Sequence, residues 1–125
     1  MKRILLVDDD STLRKLFGFV LRHNGFLVEE AGNGLEGLQK LDGEPFDLMI
    51  VDVMMPMLDG IGFLTIVRQE RGIKTPVLVL TAMDRSAAED EIFAAGADDV
   101  ALKPLSHTDL LQRVSALLAL DRSVI

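Results

Sequence analysis

Four stretches of the chain are apolar without a break, at residues 4–7, 48–51, 77–80 and, more weakly, 100–102. Runs of Ile, Val and Leu that do not alternate with polar residues suit strands covered by helices on both faces, as in a parallel sheet. A fifth stretch, residues 26–30, closes on Glu29 and Glu30 and reads as an edge strand. Between these runs the apolar positions fall at helical spacing. Leu13, Leu16, Phe17, Val20 and Leu21 form one stripe, and Leu110, Leu111, Val114, Leu117 and Leu118 form another. Leu35, Leu38 and Leu41 outline a shorter helix, as do Ile61, Leu64 and Val67. The segment 86–95 is mostly Ala and acid, with Gly96 as its stop, where a positive φ is wanted. Strand and helix thus alternate five times. This pattern predicts an α/β fold, a doubly wound five-stranded parallel sheet with right-handed crossovers.

Composition narrows the picture. The 125 residues, 49% of them hydrophobic, suffice for one packed core. We expect one domain over residues 1–120, with 121–125 as a C-terminal tail or the start of a linker. Repeats and low-complexity tracts are absent from the sequence. A net charge of -7 argues against direct nucleic-acid binding by this chain, which would need Lys and Arg clusters. Without cysteine there is no disulfide and no thiolate metal site. The opening MKRILLV imitates a signal peptide, but Asp8 ends the apolar run well short of the roughly 7 to 15 residues such a segment needs. No later run is long enough to span a bilayer. The expectation is a cytoplasmic protein without membrane association.

The polar residues that close the apolar runs carry the chemistry. Asp8 and Asp9 follow the first run, Asp52 the one at 48–51, Thr81 the one at 77–80, and Lys103 the last. In an open parallel sheet all strand C-termini lie on one edge, and ligands bind outside it where the strand order reverses. Adjacent carboxylates there repel: at an effective dielectric near 20, unit charges ~4 Å apart cost roughly 4 kcal/mol. A divalent cation offsets that cost. Oxygen ligands without His or Cys point to Mg²⁺, which takes one or two carboxylates and leaves room for a phosphoryl oxygen.

Each residue has a blander reading: an acidic cluster after a strand can simply start a helix, and for Asp10 that N-cap role is preferred. Thr81 alone is an ordinary β-former, and Lys103 alone an ordinary lysine before a turn. Asp52 is harder to set aside, because it closes the most apolar strand and a charge there needs a partner. Together the groups allow phosphoryl transfer to a carboxylate, with Asp52 as nucleophile, Lys103 pairing with a phosphoryl oxygen and Thr81 donating a hydrogen bond to it. No base is required, since a carboxylic acid side chain is already ionised at neutral pH.

Taken in order, ILLVDDD, FDLMIVDVMMPMLDG, PVLVLTA and GADDVALKPL resemble the receiver (phosphoacceptor) domain of bacterial two-component response regulators over nearly the whole chain. The resemblance implies the flavodoxin-like strand order 2-1-3-4-5. It implies that Asp52 accepts phosphate from a sensor histidine kinase or a histidine phosphotransfer protein. It implies that Asp8, Asp9, Asp52 and the carbonyl of Met54 surround Mg²⁺, that Thr81 is the switch hydroxyl, and that Lys103 precedes a cis peptide to Pro104. The first helix, with Arg14 and Lys15, would face the kinase. The fourth helix, fifth strand and fifth helix would form the surface that responds, read by a downstream protein partner or by an output domain outside this chain, as a monomer or a phosphorylation-linked dimer. Such a domain is not an enzyme in the usual sense, catalysing only its own phosphorylation and dephosphorylation.

The sequence also departs from the family pattern. Many receivers carry Tyr or Phe three residues before the lysine, where this chain has Val100, so the Thr81 movement must reach the surface by another route. Leu105 replaces a frequent Phe. Met54 and Met83 occupy positions that tune acyl-phosphate lifetime in similar proteins, and an unusual lifetime is expected. For Met54, Met55 and Met57 as a group, gap-filling is the preferred reading.

Three other readings compete. Gly32-Asn33-Gly34-Leu35-Glu36-Gly37 fits G-x-G-x-x-G after a candidate strand, with Asp52 at the spacing of a ribose contact, as in a dinucleotide-binding domain. Glu29 and Glu30 stand where a pyrophosphate would approach, and a second mononucleotide-binding half is missing. An aspartate phosphatase would need a second acid at Met54. A phosphorylation-independent interaction module stays open through Val100. His23 at a helix end and His107 near a helix start lack the neighbours of a phosphorelay or metal histidine.

Overall fold

The computed structural model describes residues 1–82 and 86–120, without the side chains of 86–88. The strands are β1 (Arg3–Val7), β2 (Leu27–Ala31), β3 (Leu48–Asp52), β4 (Val77–Thr81) and β5 (Asp99–Leu102). The helices are α1 (Ser11–His23), α2 (Gly34–Lys40), α3 (Gly60–Thr65), α4 (Ser86–Ala95) and α5 (His107–Leu118). The strands form one sheet in the order β2-β1-β3-β4-β5, every neighbouring pair parallel.

Strand periodicity divides the core in two. Leu5, Val7, Met49, Val51, Val77 and Val79 face one side, where Phe63, Leu64, Val67 and Ile92 of the helical layer cover them. Ile4, Leu6, Leu48, Ile50, Leu78 and Leu80 face the other, against Phe17 and Leu21 of α1 and Leu110, Val114 and Leu117 of α5. Every residue of β3 and β4 is buried, which is why their sequences do not alternate. Each fully buried Leu or Ile contributes about 1.5–3 kcal/mol. At the edge, β2 is only half buried, and its acids are paired: Glu29 with Arg3 at 2.7 Å and Lys40 at 3.6 Å, Glu30 with Arg14 at 3.2 Å and Arg22 at 3.0 Å.

Two stripe residues point the other way from the sequence expectation. Leu16 and Leu35 are exposed, at 44% and 48%. In α2 the buried positions are glycines, Gly34 and Gly37. A Cβ at Gly37 would lie 2.9 Å from the Phe63 ring and one at Gly34 2.9 Å from the Leu58 carbonyl oxygen, so α2 sits too close to its neighbours for a larger face. Gly34 and Gly37 of the G-x-G-x-x-G match therefore serve packing, and Asn33 caps the helix by accepting from the Glu36 N–H at 2.8 Å.

The chain after α3 continues as a π-helical turn, Ile66–Glu70, which leaves Val67 buried and sends Arg68 toward the end of α4. Gly96 follows α4 with φ +119°, the left-handed stop read from the sequence. Residues 121–125 and Met83 lie outside the described residues.

Candidate functional site

The C-terminal ends of β1, β3 and β4 and the residue after β5 meet on one edge of the sheet. Asp52 is the last residue of β3 and is 3% exposed, and Thr81 is the last of β4 and fully buried. Asp8, directly after β1, is fully buried as well, while Asp9 beside it is exposed. Carboxylate oxygens of Asp8, Asp9 and Asp52 lie within 4.8 Å of one another. Lys103 Nζ stands 3.1 Å from Asp52 Oδ1 and 3.8 Å from Asp8 Oδ2.

Local hydrogen bonds hold this arrangement. Asp8 Oδ1 accepts from the Asp10 N–H at 2.9 Å, and Asp10 in turn caps α1, its Oδ1 accepting from the N–H groups of Thr12 and Leu13, both at 3.1 Å. Asp10 is thus the N-cap that the bland reading assigned it. The Lys103 N–H donates to the Thr81 carbonyl at 2.8 Å, which fixes the turn leaving β5, and the peptide that follows, Lys103–Pro104, is cis. The Gly60 N–H donates to the Val53 carbonyl at 3.0 Å, tying the start of α3 to the residue after Asp52.

The electrostatics are those of an acid pocket short of positive charge. Burial pushes the Asp8 carboxyl up to about 6, the Asp10 N–H opposes that, and the neighbouring Asp52 charge adds to it. Asp8 Oδ2 is buried and has no hydrogen-bond partner among the described residues. One orphaned lone-pair site, three carboxylates and no sulfur or nitrogen donor fit a hard, oxygen-seeking divalent cation. With such an ion bound, the pocket offers Lewis-acid polarisation of a phosphoryl oxygen.

The structure brings Asp8, Asp9, Asp52 and Lys103 together, with Thr81 on the adjacent strand. Met54 stands two residues after Asp52 with its side chain 61% exposed. Val100 lies opposite Val79 in the sheet and is half-buried against the core on the α3 side. The resemblance set Arg14 with Lys15 on the helix facing the kinase, and sequence reasoning gave it no part in the pocket. Its side chain is only 16% exposed and turns inward, Nη1 donating to the Asp8 carbonyl at 2.7 Å and Nε to Glu30 at 3.2 Å. Lys15 and Leu16 are the exposed residues of that turn. The signal that could have revealed Arg14 was Glu30 at the end of an edge strand, a half-buried acid in need of a cation.

Residues 4–115 match the family described as response regulator receiver domain. The chain belongs to that family. It is 42% identical over 118 residues to the transcriptional regulatory protein CpxR homolog of Haemophilus influenzae, covering 94% of this chain and 51% of that protein. It is 43% identical to the response regulator MprA of Mycobacterium tuberculosis, covering 93% and 50%. The chain thus spans about half the length of these curated relatives. Among solved structures, the Francisella response regulator 1452 receiver domain superposes with a TM-score of 0.89 at 34% identity, covering 94% of this chain and 97% of that one. The response regulator TrrA from Thermotoga maritima, solved in complex with Mg(2+)-BeF, superposes at 0.83 with 31% identity, covering 94% and 99%. This receiver domain works in phosphorylation-dependent signalling, through the acidic pocket of Asp8, Asp9 and Asp52 with Lys103, and is not a conventional enzyme. No helix among the described residues is long and apolar enough to cross a membrane.

Proposed function

We propose that Asp52 is the phosphoacceptor and that Asp8, Asp9, Asp52 and the Met54 carbonyl hold Mg²⁺. The observation that carries this reading is the burial of Asp52 at the end of β3, within reach of both Lys103 and the other two carboxylates. An Asp52 carboxylate oxygen attacks the phosphorus of a phosphoryl-imidazole donor. The new P–O bond forms as the P–N bond breaks, and the departing electron pair stays on the imidazole nitrogen, which takes up a proton. Lys103 pairs with an oxygen of the incoming group, and Thr81 donates a hydrogen bond to another. Val100 is the small residue that lets Thr81 move without an aromatic ring turning beside it.

The donor is a sensor histidine kinase or a histidine phosphotransfer protein, docking on the first helix beside the exposed Lys15, where Leu13, Leu16, Lys103, Pro104 and Leu105 line a groove of about 450 Å³. The response passes through α4, β5 and α5 to a downstream protein partner or output domain. Since curated relatives at least about twice as long as this chain include transcriptional regulators, a DNA-directed output belongs to this proposal, in a cytoplasmic setting.

The test is labelling with acetyl phosphate or a phosphorylated kinase in Mg²⁺. Expected is one phosphoryl group per chain, cleaved by hydroxylamine and absent from Asp52→Asn. Labelling that persists in Asp52→Asn, or that needs no divalent ion, overturns it.

A further inference from the structure

The acidic pocket is gripped from outside by a charge cluster that links it to the edge strand. Arg14 Nη1 donates to the Asp8 carbonyl oxygen at 2.7 Å, and its Nε donates to Glu30 Oε1 at 3.2 Å. Glu30 Oε2 meets Arg22 Nη1 at 3.0 Å. Gly18 makes room for this cluster on α1, since a Cβ there would lie 3.1 Å from Glu30 Oε2 and 3.2 Å from Arg22 Nη1. The Asp8 N–H meanwhile donates to the Ala31 carbonyl at 3.0 Å.

Asp8 is therefore held at three atoms: its N–H by β2, its carbonyl by Arg14, and Oδ1 by the Asp10 N–H at 2.9 Å. Only Oδ2 is left without a hydrogen bond, and it lies 3.8 Å from Lys103 Nζ on the pocket side. The guanidinium fork is what allows one side chain to serve both the carbonyl and Glu30, because its N–H groups diverge in one rigid plane.

We propose that Arg14 is a positioning residue of the cation site: by fixing the Asp8–Asp9 peptide it orients Asp8 for the ion, and Glu30 anchors it from the edge strand. The inference rests on the Mg²⁺ reading of the pocket.

The sign of the effect separates this role from plain electrostatics. Removing a positive charge near a cation site strengthens cation binding through space. Losing a residue that orients a ligand weakens it, and such outer partners are worth 10–100-fold in metal affinity. The experiment is a titration of the whole chain with MgCl2 at pH 8, followed by amide NMR shifts of the β1–α1 turn. Wild type, Arg14→Met, Arg14→Lys and the exposed control Lys15→Met are compared, and urea unfolding verifies that each is folded. Expected for Arg14→Met is a Mg²⁺ dissociation constant raised roughly tenfold. Arg14→Lys, with the charge kept and the fork lost, is expected between wild type and Met, and Lys15→Met at or slightly below the wild-type value.

Tighter or unchanged Mg²⁺ binding by folded Arg14→Met overturns the proposal. Should Arg14→Met not fold, Arg14→Lys decides: weaker binding supports the role, and wild-type affinity refutes it. A wild type that binds no Mg²⁺ refutes the site itself, an outcome distinct from a wild type that binds and variants that bind equally well.

Discussion

Lys103 Nζ sits 3.1 Å from Asp52 Oδ1 and 3.8 Å from Asp8 Oδ2, a single ammonium answering two buried carboxylates. Two charges of one sign against one of the other leave the pocket under-neutralised, which makes it receptive to a cation and sensitive to loss of the lysine. Replacing Lys103 by Met should lower the stability of the metal-free protein at pH 8 by about 1–3 kcal/mol. It should also slow phosphoryl acceptance from acetyl phosphate by roughly 100–1,000-fold. Urea unfolding and single-turnover labelling measure the two effects separately.

Asp8 gives the pH dependence. Its carboxyl is raised from 3.8 to about 6, mainly by burial, so the folded form binds this proton more tightly than the unfolded chain. Stability from this group is complete below about pH 4 and is lost as pH rises through about 6. Asp8→Asn, which keeps an acceptor for the Asp10 N–H, should therefore stabilise the metal-free protein at pH 7.5 by up to about 3 kcal/mol and leave it unchanged near pH 4. Parallel denaturant curves at the two pH values check this. Mg²⁺ binding by the wild type must displace the same proton, so its affinity should weaken as pH falls below about 6.

Gly60 holds α3 against the backbone at the end of β3. A Cβ there would lie 2.6 Å from the Asp52 carbonyl oxygen and 2.8 Å from the Val53 Cα, both backbone atoms with little room to yield. Gly60→Ala is expected to cost about 2–4 kcal/mol. The comparison is Gly43→Ala, whose added carbon meets nothing nearer than 3.6 Å. That substitution should fall within about 0.5 kcal/mol of wild type in the same urea titration.

Arg68 ties the turn after α3 to the end of α4. It donates to the carbonyls of Ile73 and Thr75, each at 2.8 Å, twice to that of Gly96, at 3.0 and 2.9 Å, and to Asp98 at 3.0 Å. Arg68→Met leaves half-buried carbonyls unsatisfied and should cost about 2–4 kcal/mol, with Arg68→Lys recovering only part of it. Hydrogen exchange should show the loss first in the amides of Gly96 and Ala97, beside the carbonyl that Arg68 holds.

The chain itself determined the order of strands and helices, because continuous apolar runs and helical stripes are local signals that follow from burial on both faces of a sheet. It also placed Asp8, Asp9, Asp52, Thr81 and Lys103 at strand ends, and parallel strands share the edge at which they end. Tertiary structure alone decided how atoms meet across that edge. Arg14 turns inward because Glu30 and the Asp8 carbonyl lie there, while Leu35 turns outward because α2 packs through Gly34 and Gly37, too close to its neighbours for a larger side chain. Periodicity assigns a residue to a face only approximately, but a hydrogen bond or a 3 Å ion pair depends on the register and crossing of segments far apart in the chain, which no local pattern encodes.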